Sequence, residues 1–279
     1  TFTPTADTEA MDQVVTLGTD WKDGAGNAPS TAQVSNSYDI KTVPTSGTVI
    51  DGYISGATVF ADLDMDGTLD WTDADNDQEW DVGEGEEWTI SGTSGAYTFT
   101  TNVDDQVLVA IGGTDTSTGE AFDGILTALP GDKVITPLTT IAASIVKSNI
   151  DGLGDRQPTE EEIAGFISNA KAAVNTAFDI GDVDISTYDH IGATDAAALN
   201  VQKAAASVAN VLVAVGQGVS GNSARVDALE AVVGKIAEKV GSATAALDFS
   251  DNALLTEITA GSSLNPGKIA ALATANDGI

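Results

Sequence analysis

At 279 residues the chain is long enough for two or three domains and a sizeable core. Eleven Lys and Arg against forty-two Asp and Glu give a formal charge of −31, which argues against nucleic acid and anionic membranes as partners and favours divalent cations. There is no Cys, so disulfides, thiol chemistry and Cys-ligated zinc are excluded; no run reads as long and apolar enough for a membrane span, so no membrane insertion is expected.

Residues 1–47 read as part of a β-domain. DQVVTLGTDW and QVSNSYDIKTV are strand-like runs with rough alternation. Gly24, Gly26 and Asn27 mark a turn between them. The order VVTLGTDWKDGAGNAP…SNSYDIKTVPT resembles the later strands of the bacterial immunoglobulin-like repeats of giant surface adhesins. The resemblance covers the second half of such a repeat. It implies early strands supplied from elsewhere, by a part of the protein outside this sequence or by another chain. It also makes Asp20 and Asp23 calcium candidates at a domain junction.

Residues 48–132 read as a second β unit, built around the stretch Asp62–Glu87, DLDMDGTLDWTDADNDQEWDVGEGEE. VIDGYISGATVFA leads in, EWTISGTSGAYTFTT leads out, and QVLVAIGG and GEAFDGILTALPG follow. Twelve acids crowd the stretch, while no Lys or Arg occurs from Thr42 to Asp132. Two carboxylates about 5 Å apart repel by roughly 3 kcal/mol at an effective dielectric near 20. So many fold close together only with cations between them, and hard oxygen ligands select a hard cation.

The spacing points to calcium. An EF-hand-type loop places ligands at positions 1, 3, 5, 7, 9 and 12, with Gly at 6. Counted from Asp62, these are Asp62, Asp64, Asp66, Thr68 (through its carbonyl), Asp70 and Asp73, with Gly67 sixth. Counted from Asp73, they are Asp73, Asp75, Asp77, Glu79, Asp81 and Glu84, with Gln78 in the glycine position. Asp73 ends one loop and begins the next, so two or more Ca2+ ions are expected, two of them sharing it. The flanks are strand-like, which makes these EF-hand-like loops between strands. Trp71 and Trp80 lie inside the loops, as packing lids over the metal cluster or as an exposed platform for a sugar or peptide.

The pattern G-x-I-x-G-A-x-V-F-x-D-x-D-x-D-G, followed by G-x-Y-x-F, lies within about residues 49–100. It resembles the calcium-binding B-type domains of serine–aspartate-repeat surface proteins and related prealbumin-like sandwiches. The implied fold is an Ig-like or prealbumin-like β-sandwich. The doubled loop departs from that family.

From Lys133 the apolar period changes from 2 to 3.6, and residues 133–279 read as an all-α helical bundle. ITPLTTIAASIVKSNI has Thr136 as N-cap and Pro137 at the first helical position. The next helix opens with a capping box, Thr159 with Glu162, and carries Ile163, Phe166, Ile167, Ala170, Val174, Ala177 and Phe178 on one face. Further helices are expected over about 195–215, 223–240, 251–259 and 266–275. VITPLTT with the Ala-rich helices resembles an uncharacterised helical region of large calcium-dependent bacterial surface proteins.

The only histidine, His190, sits in DISTYDHIGATD and is expected to be structural. There is no G-x-S-x-G elbow, P-loop or dinucleotide glycine motif. The dense acids that a paired-carboxylate hydrolase would need sit at metal-ligand spacing instead, so no enzyme is expected. The expected function is that of a calcium-stabilised structural module of a secreted or cell-surface bacterial protein: an adhesin stalk, a surface layer or a self-assembling fibre. Its partners would be copies of itself or neighbouring repeats. The alternative is a calcium-dependent module that binds a host or matrix glycan or peptide through Trp71, Trp80 or Trp88.

Overall fold

The computed structural model describes residues 6, 8–20, 22, 25–28 and 30–279. The chain forms two compact units. One takes the residues before Ser46 together with Phe99–Val103; the other takes Ser46–Thr98 and Asp104–Ile279.

Among the described residues the first unit holds four short strands, β1 Glu9–Gln13, β2 Thr16–Leu17, β3 Gln33–Val34 and β4 Tyr38–Lys41. β1 pairs antiparallel with β4, and β2 with β3. The β1–β4 register slips between Ala10 and Gln13, where Asp12 adopts a φ of 53°. Such a slip marks a bulge, which twists and re-aims a strand. Phe99 and Val103 hang on Thr45: the Phe99 N–H donates to the Thr45 carbonyl (2.9 Å) and the Val103 N–H to its hydroxyl (2.8 Å). Met11, Val14, Val15 and Val34 are exposed. Asp20 is exposed as well; Asp23 and Gly24 lie outside the described residues.

The second unit carries β5 Ser46–Val49, β6 Ile54–Ser55, β7 Thr58–Asp62, β8 Trp88–Ile90, β9 Ala96–Thr98, β10 Val107–Ile111, β11 Thr114–Asp115, β12 Ile125–Ala128 and β13 Val134–Ile135. An antiparallel sheet has the order β12-β10-β7-β8, and a second sheet the order β13-β5-β9, in which β13 runs parallel to β5. β6 and β11 form a short ribbon. The register of the first sheet brings Val59, Ala61, Leu108, Ala110, Leu126 and Ala128 to one face, all buried. It brings Phe60, Val109 and Thr127 to the other, in line across three strands. A sheet covered on both faces needs nearly continuous apolar runs, and TVFAD, VLVAI and ILTA are such runs.

Six helices follow: α1 Pro137–Asp151, α2 Glu160–Phe178, α3 Ala198–Gly216, α4 Asn222–Gly241, α5 Asn252–Ile258 and α6 Pro266–Asp277. α1 begins as expected, with a Thr136 cap and Pro137 at its first position. It is fastened to the sheet by two threonines. Thr139 Oγ1 donates to the Thr127 carbonyl (2.8 Å), and Thr140 Oγ1 accepts from the Thr127 N–H (2.9 Å). α2 begins with the expected Thr159–Glu162 box, and Arg156 grips the Glu162 carboxylate with two N–H groups at 2.8 and 2.9 Å. α2, α3 and α4 pack around α1. The helices thus belong to the same compact unit as the sheets, and the boundary expected at 132/133 marks a change of period rather than a division between units.

One sequence expectation needs correcting. By length and composition α3 is apolar and long enough to cross a membrane. Gln202 and Lys203 interrupt its apolar run in the sequence, yet they fall together on its exposed side, while Val201, Val208, Val211, Leu212 and Val215 are buried in the unit's interior.

Candidate metal centre

β7 runs into the acidic stretch at Asp62, whose residue is 4 % exposed. Its Oδ1 accepts from the Asp66 N–H (3.2 Å) and its Oδ2 from the Gly67 N–H (3.0 Å). Asp64 Oδ1 accepts from Asp66 N–H (3.2 Å), and Asp66 Oδ1 from Thr68 N–H (2.7 Å). Met65 and Gly67 take positive φ, 61° and 73°.

The same ladder repeats eleven residues later. Asp73 Oδ1 accepts from Asn76 and Asp77 N–H (2.6 and 3.2 Å) and its Oδ2 from Gln78 N–H (3.1 Å). Asp75 Oδ1 accepts from Asp77 N–H (3.3 Å), and Asp77 Oδ1 from Glu79 N–H (2.8 Å). Asn76 and Gln78 occupy the positions of Met65 and Gly67 with φ of 67° and 66°. Two successive loops therefore have one backbone conformation, although the second lacks the glycine.

The second loop closes as a hairpin. Thr72 N–H donates to the Glu84 carbonyl and Glu86 N–H to the Asp70 carbonyl, both at 2.9 Å. Glu84 reaches back over the loop, accepting from Ala74 N–H (2.7 Å), Asp81 N–H (3.1 Å) and Trp71 Nε1 (3.2 Å). These bonds, led by the one from Ala74, hold its carboxyl below the usual range. Gly85 has a φ of 101°, and a Cβ there would collide with the Asp70 carbonyl. Trp80 Nε1 donates to the Gly85 carbonyl (3.2 Å), and Trp71 meets Trp88 edge-on at 5.1 Å. Both loop indoles are partly buried with their N–H groups turned to the hairpin.

Three groups of carboxylate oxygens converge within 4.8 Å: Asp62, Asp64 and Asp66; Asp73, Asp75 and Glu84; Asp75, Asp77 and Asp81. Eight sequence-predicted ligands are thus gathered into clusters that could hold a metal ion. Asp70 and Glu79 fall in none of them, and Thr68 enters only through its N–H bond to Asp66. Asp73 does not join the first cluster. The residue common to two clusters is Asp75. Among the described residues no ion pair links any acid from Asp62 to Glu86 with Lys or Arg. The donors are all hard oxygens, the set that suits Ca2+.

Glu86 is the residue that loop spacing missed. It is 2 % exposed and braces the first loop from beneath, its Oε1 accepting from Leu63 N–H (2.7 Å) and its Oε2 from Asp70 N–H (2.9 Å). Burial, and then the charges of Asp62 and Asp64, push its carboxyl up. Burial likewise raises that of Asp62. Gly67 also sets the approach of α4, since a Cβ there would lie 3.1 Å from Glu230 Oε1 and 3.5 Å from Val226 Cγ1. His190 is buried, and burial pushes its imidazole pKa down.

No protein family, curated protein or solved structure matches this chain.

Proposed function

We propose that the chain is a calcium-stabilised structural module of a secreted or cell-surface bacterial protein, such as an adhesin stalk, a surface layer or an extracellular fibre. The observation that carries this reading is the repeated ladder. Two adjacent loops adopt one conformation and gather eight carboxylates that, among the described residues, form no ion pair with Lys or Arg. Carboxylates at such distances repel, and a divalent ion removes that repulsion.

The ion acts by linkage. A ligand that binds only the folded chain stabilises it by RT ln(1 + [Ca]/Kd), about 2.7 kcal/mol at one hundred times Kd. In this reading the two sheets form a prealbumin-like sandwich, the helices form a bundle, and the resemblances to surface-protein repeats reflect kinship. The inward indole bonds of Trp71 and Trp80 favour lids over a glycan platform. The exposed Met11, Val14, Val15 and Val34 suit a sheet completed by strands from a neighbouring repeat or a second copy.

Calorimetry with calcium and with chelator tests the proposal. Calcium is expected to raise the melting temperature by several degrees, and negative-stain electron microscopy of the same samples is expected to show ordered assemblies in calcium. Identical melting curves in both buffers would overturn the calcium role; monomers in both would overturn the assembly role alone.

A further inference from the structure

A cavity of about 500 Å³ lies between the helix-facing side of the four-stranded sheet and helices α1, α2 and α4. Small-molecule pockets span about 300–1,000 Å³ and are mostly apolar with a few polar groups. Here Val107 and Val109 of β10 form the floor, and Ile163 and Ile167 of α2 and Val233 of α4 form the walls. The cavity accounts for an anomaly in α2: Ala170, Val174 and Ala177 of its apolar stripe are fully buried, whereas Ile163 and Ile167 are only partly so. The space is a groove open to solvent along Asp105, Lys147, Glu230 and Gly234, which are exposed, so a ligand can enter it and cover its apolar floor.

Two features say what kind. Gly234 lies within α4 on the cavity lining, and a Cβ there would meet nothing within 4 Å. Gly234 is exposed at the rim, so a side chain placed there would reach over the groove without a clash. The lining also carries Asp62, Asp105, Asp151 and Glu230 against the single cation Lys147, whose charge acts on Glu230. Lys147 is already paired with Asp151 at 3.5 Å. The edge therefore attracts positive charge and repels a carboxylate or phosphate head.

We propose that this groove binds a cationic amphiphile, a hydrophobic amine whose apolar body covers the floor while its ammonium group sits at the acidic rim that Asp105 and Glu230 supply. Calorimetric titration of the full chain in chelator, with decylamine, decanol and decanoate as probes, tests it. Decylamine is expected to bind one to one, at least about tenfold more tightly than decanol, with decanoate weakest. Gly234→Leu, which reaches over the groove from a position with room for a side chain, is expected to cost decylamine about tenfold or more while the melting temperature holds or rises. Glu230→Gln is expected to narrow the gap between amine and alcohol.

Several outcomes would overturn the proposal. Equal decylamine binding by the wild type and Gly234→Leu would assign it to the chain's overall negative charge. No binding, or a preference for decanoate, would refute the head-group argument. Self-association that Gly234→Leu abolishes would give the cavity to a second copy of the chain. These readouts use no calcium, so they fail or succeed separately from the melting experiment.

Discussion

Gln78 holds a left-handed backbone, φ 66°, at the position where the first loop has Gly67. That conformation costs an ordinary L-residue about 1–2 kcal/mol, and Gln78 is exposed, so little side-chain packing would be lost on replacing it. If the second loop holds calcium as proposed, Gln78→Gly is expected to tighten that binding severalfold, equivalent to about 1 kcal/mol; weaker binding by titration calorimetry would contradict the repeated-loop geometry. Asp51 gives a second test. Burial, and then the nearby Asp115, push its carboxyl from 3.8 up to about 7. The folded chain therefore keeps a proton that the unfolded chain has released, so this contribution to stability is complete below about pH 4 and is lost as pH rises through about 7. Asp51→Asn is expected to flatten that limb and to raise the melting temperature at pH 8, since each pKa unit corresponds to about 1.4 kcal/mol. At this scale the sequence was legible where side chains act locally: the Thr136 and Thr159 caps form as spacing predicted, and eight of the eleven expected ligands lie in carboxylate clusters, while Asp70 and Glu79 do not and Asp75 takes the shared place expected of Asp73. Glu86 was hidden because it reaches the first loop from more than twenty residues away, across a hairpin that no loop template contains.

Helix α2 is tied to the sheet side by charge. Lys171 lies 3.0 Å from Asp132, whose side chain is 1 % exposed and also accepts from the Leu129 N–H. Burial raises the Asp132 carboxyl even though Lys171 opposes the shift. Removing one partner of a buried pair costs about 3–5 kcal/mol, whereas removing both can be nearly neutral. Lys171→Met alone is expected to destabilise by about 3 kcal/mol, and Asp132→Asn with Lys171→Met to recover most of that. Urea denaturation of the three variants checks it; simple additivity would mean that the two residues act independently. Element type was readable from apolar period. All six helices fall where the pattern changes to 3.6, and their ends shift by three residues or fewer. The β6–β11 ribbon and the parallel β13–β5 pairing were not readable, because two-residue strands have no period to detect and their partners lie far along the chain.

For the whole molecule, sequence pattern separated strands from helices but not their grouping. The acidic loops, the sheets and the six helices share one unit because α1 docks on β12 and Gly67 lets α4 approach the first loop. A cation bound in that loop, as proposed, would therefore bear on the helices as well as on the strands, and the calorimetric comparison with chelator would read both together. The division at Thr45 also has a practical side. The polypeptide passes between the units at 45/46, 98/99 and 103/104, and Phe99 and Val103 lean on Thr45. Severing the chain after Thr45 would not free an autonomous fragment: it would orphan a five-residue excursion, so any dissection of this protein must carry Phe99–Val103 along with its N-terminal part.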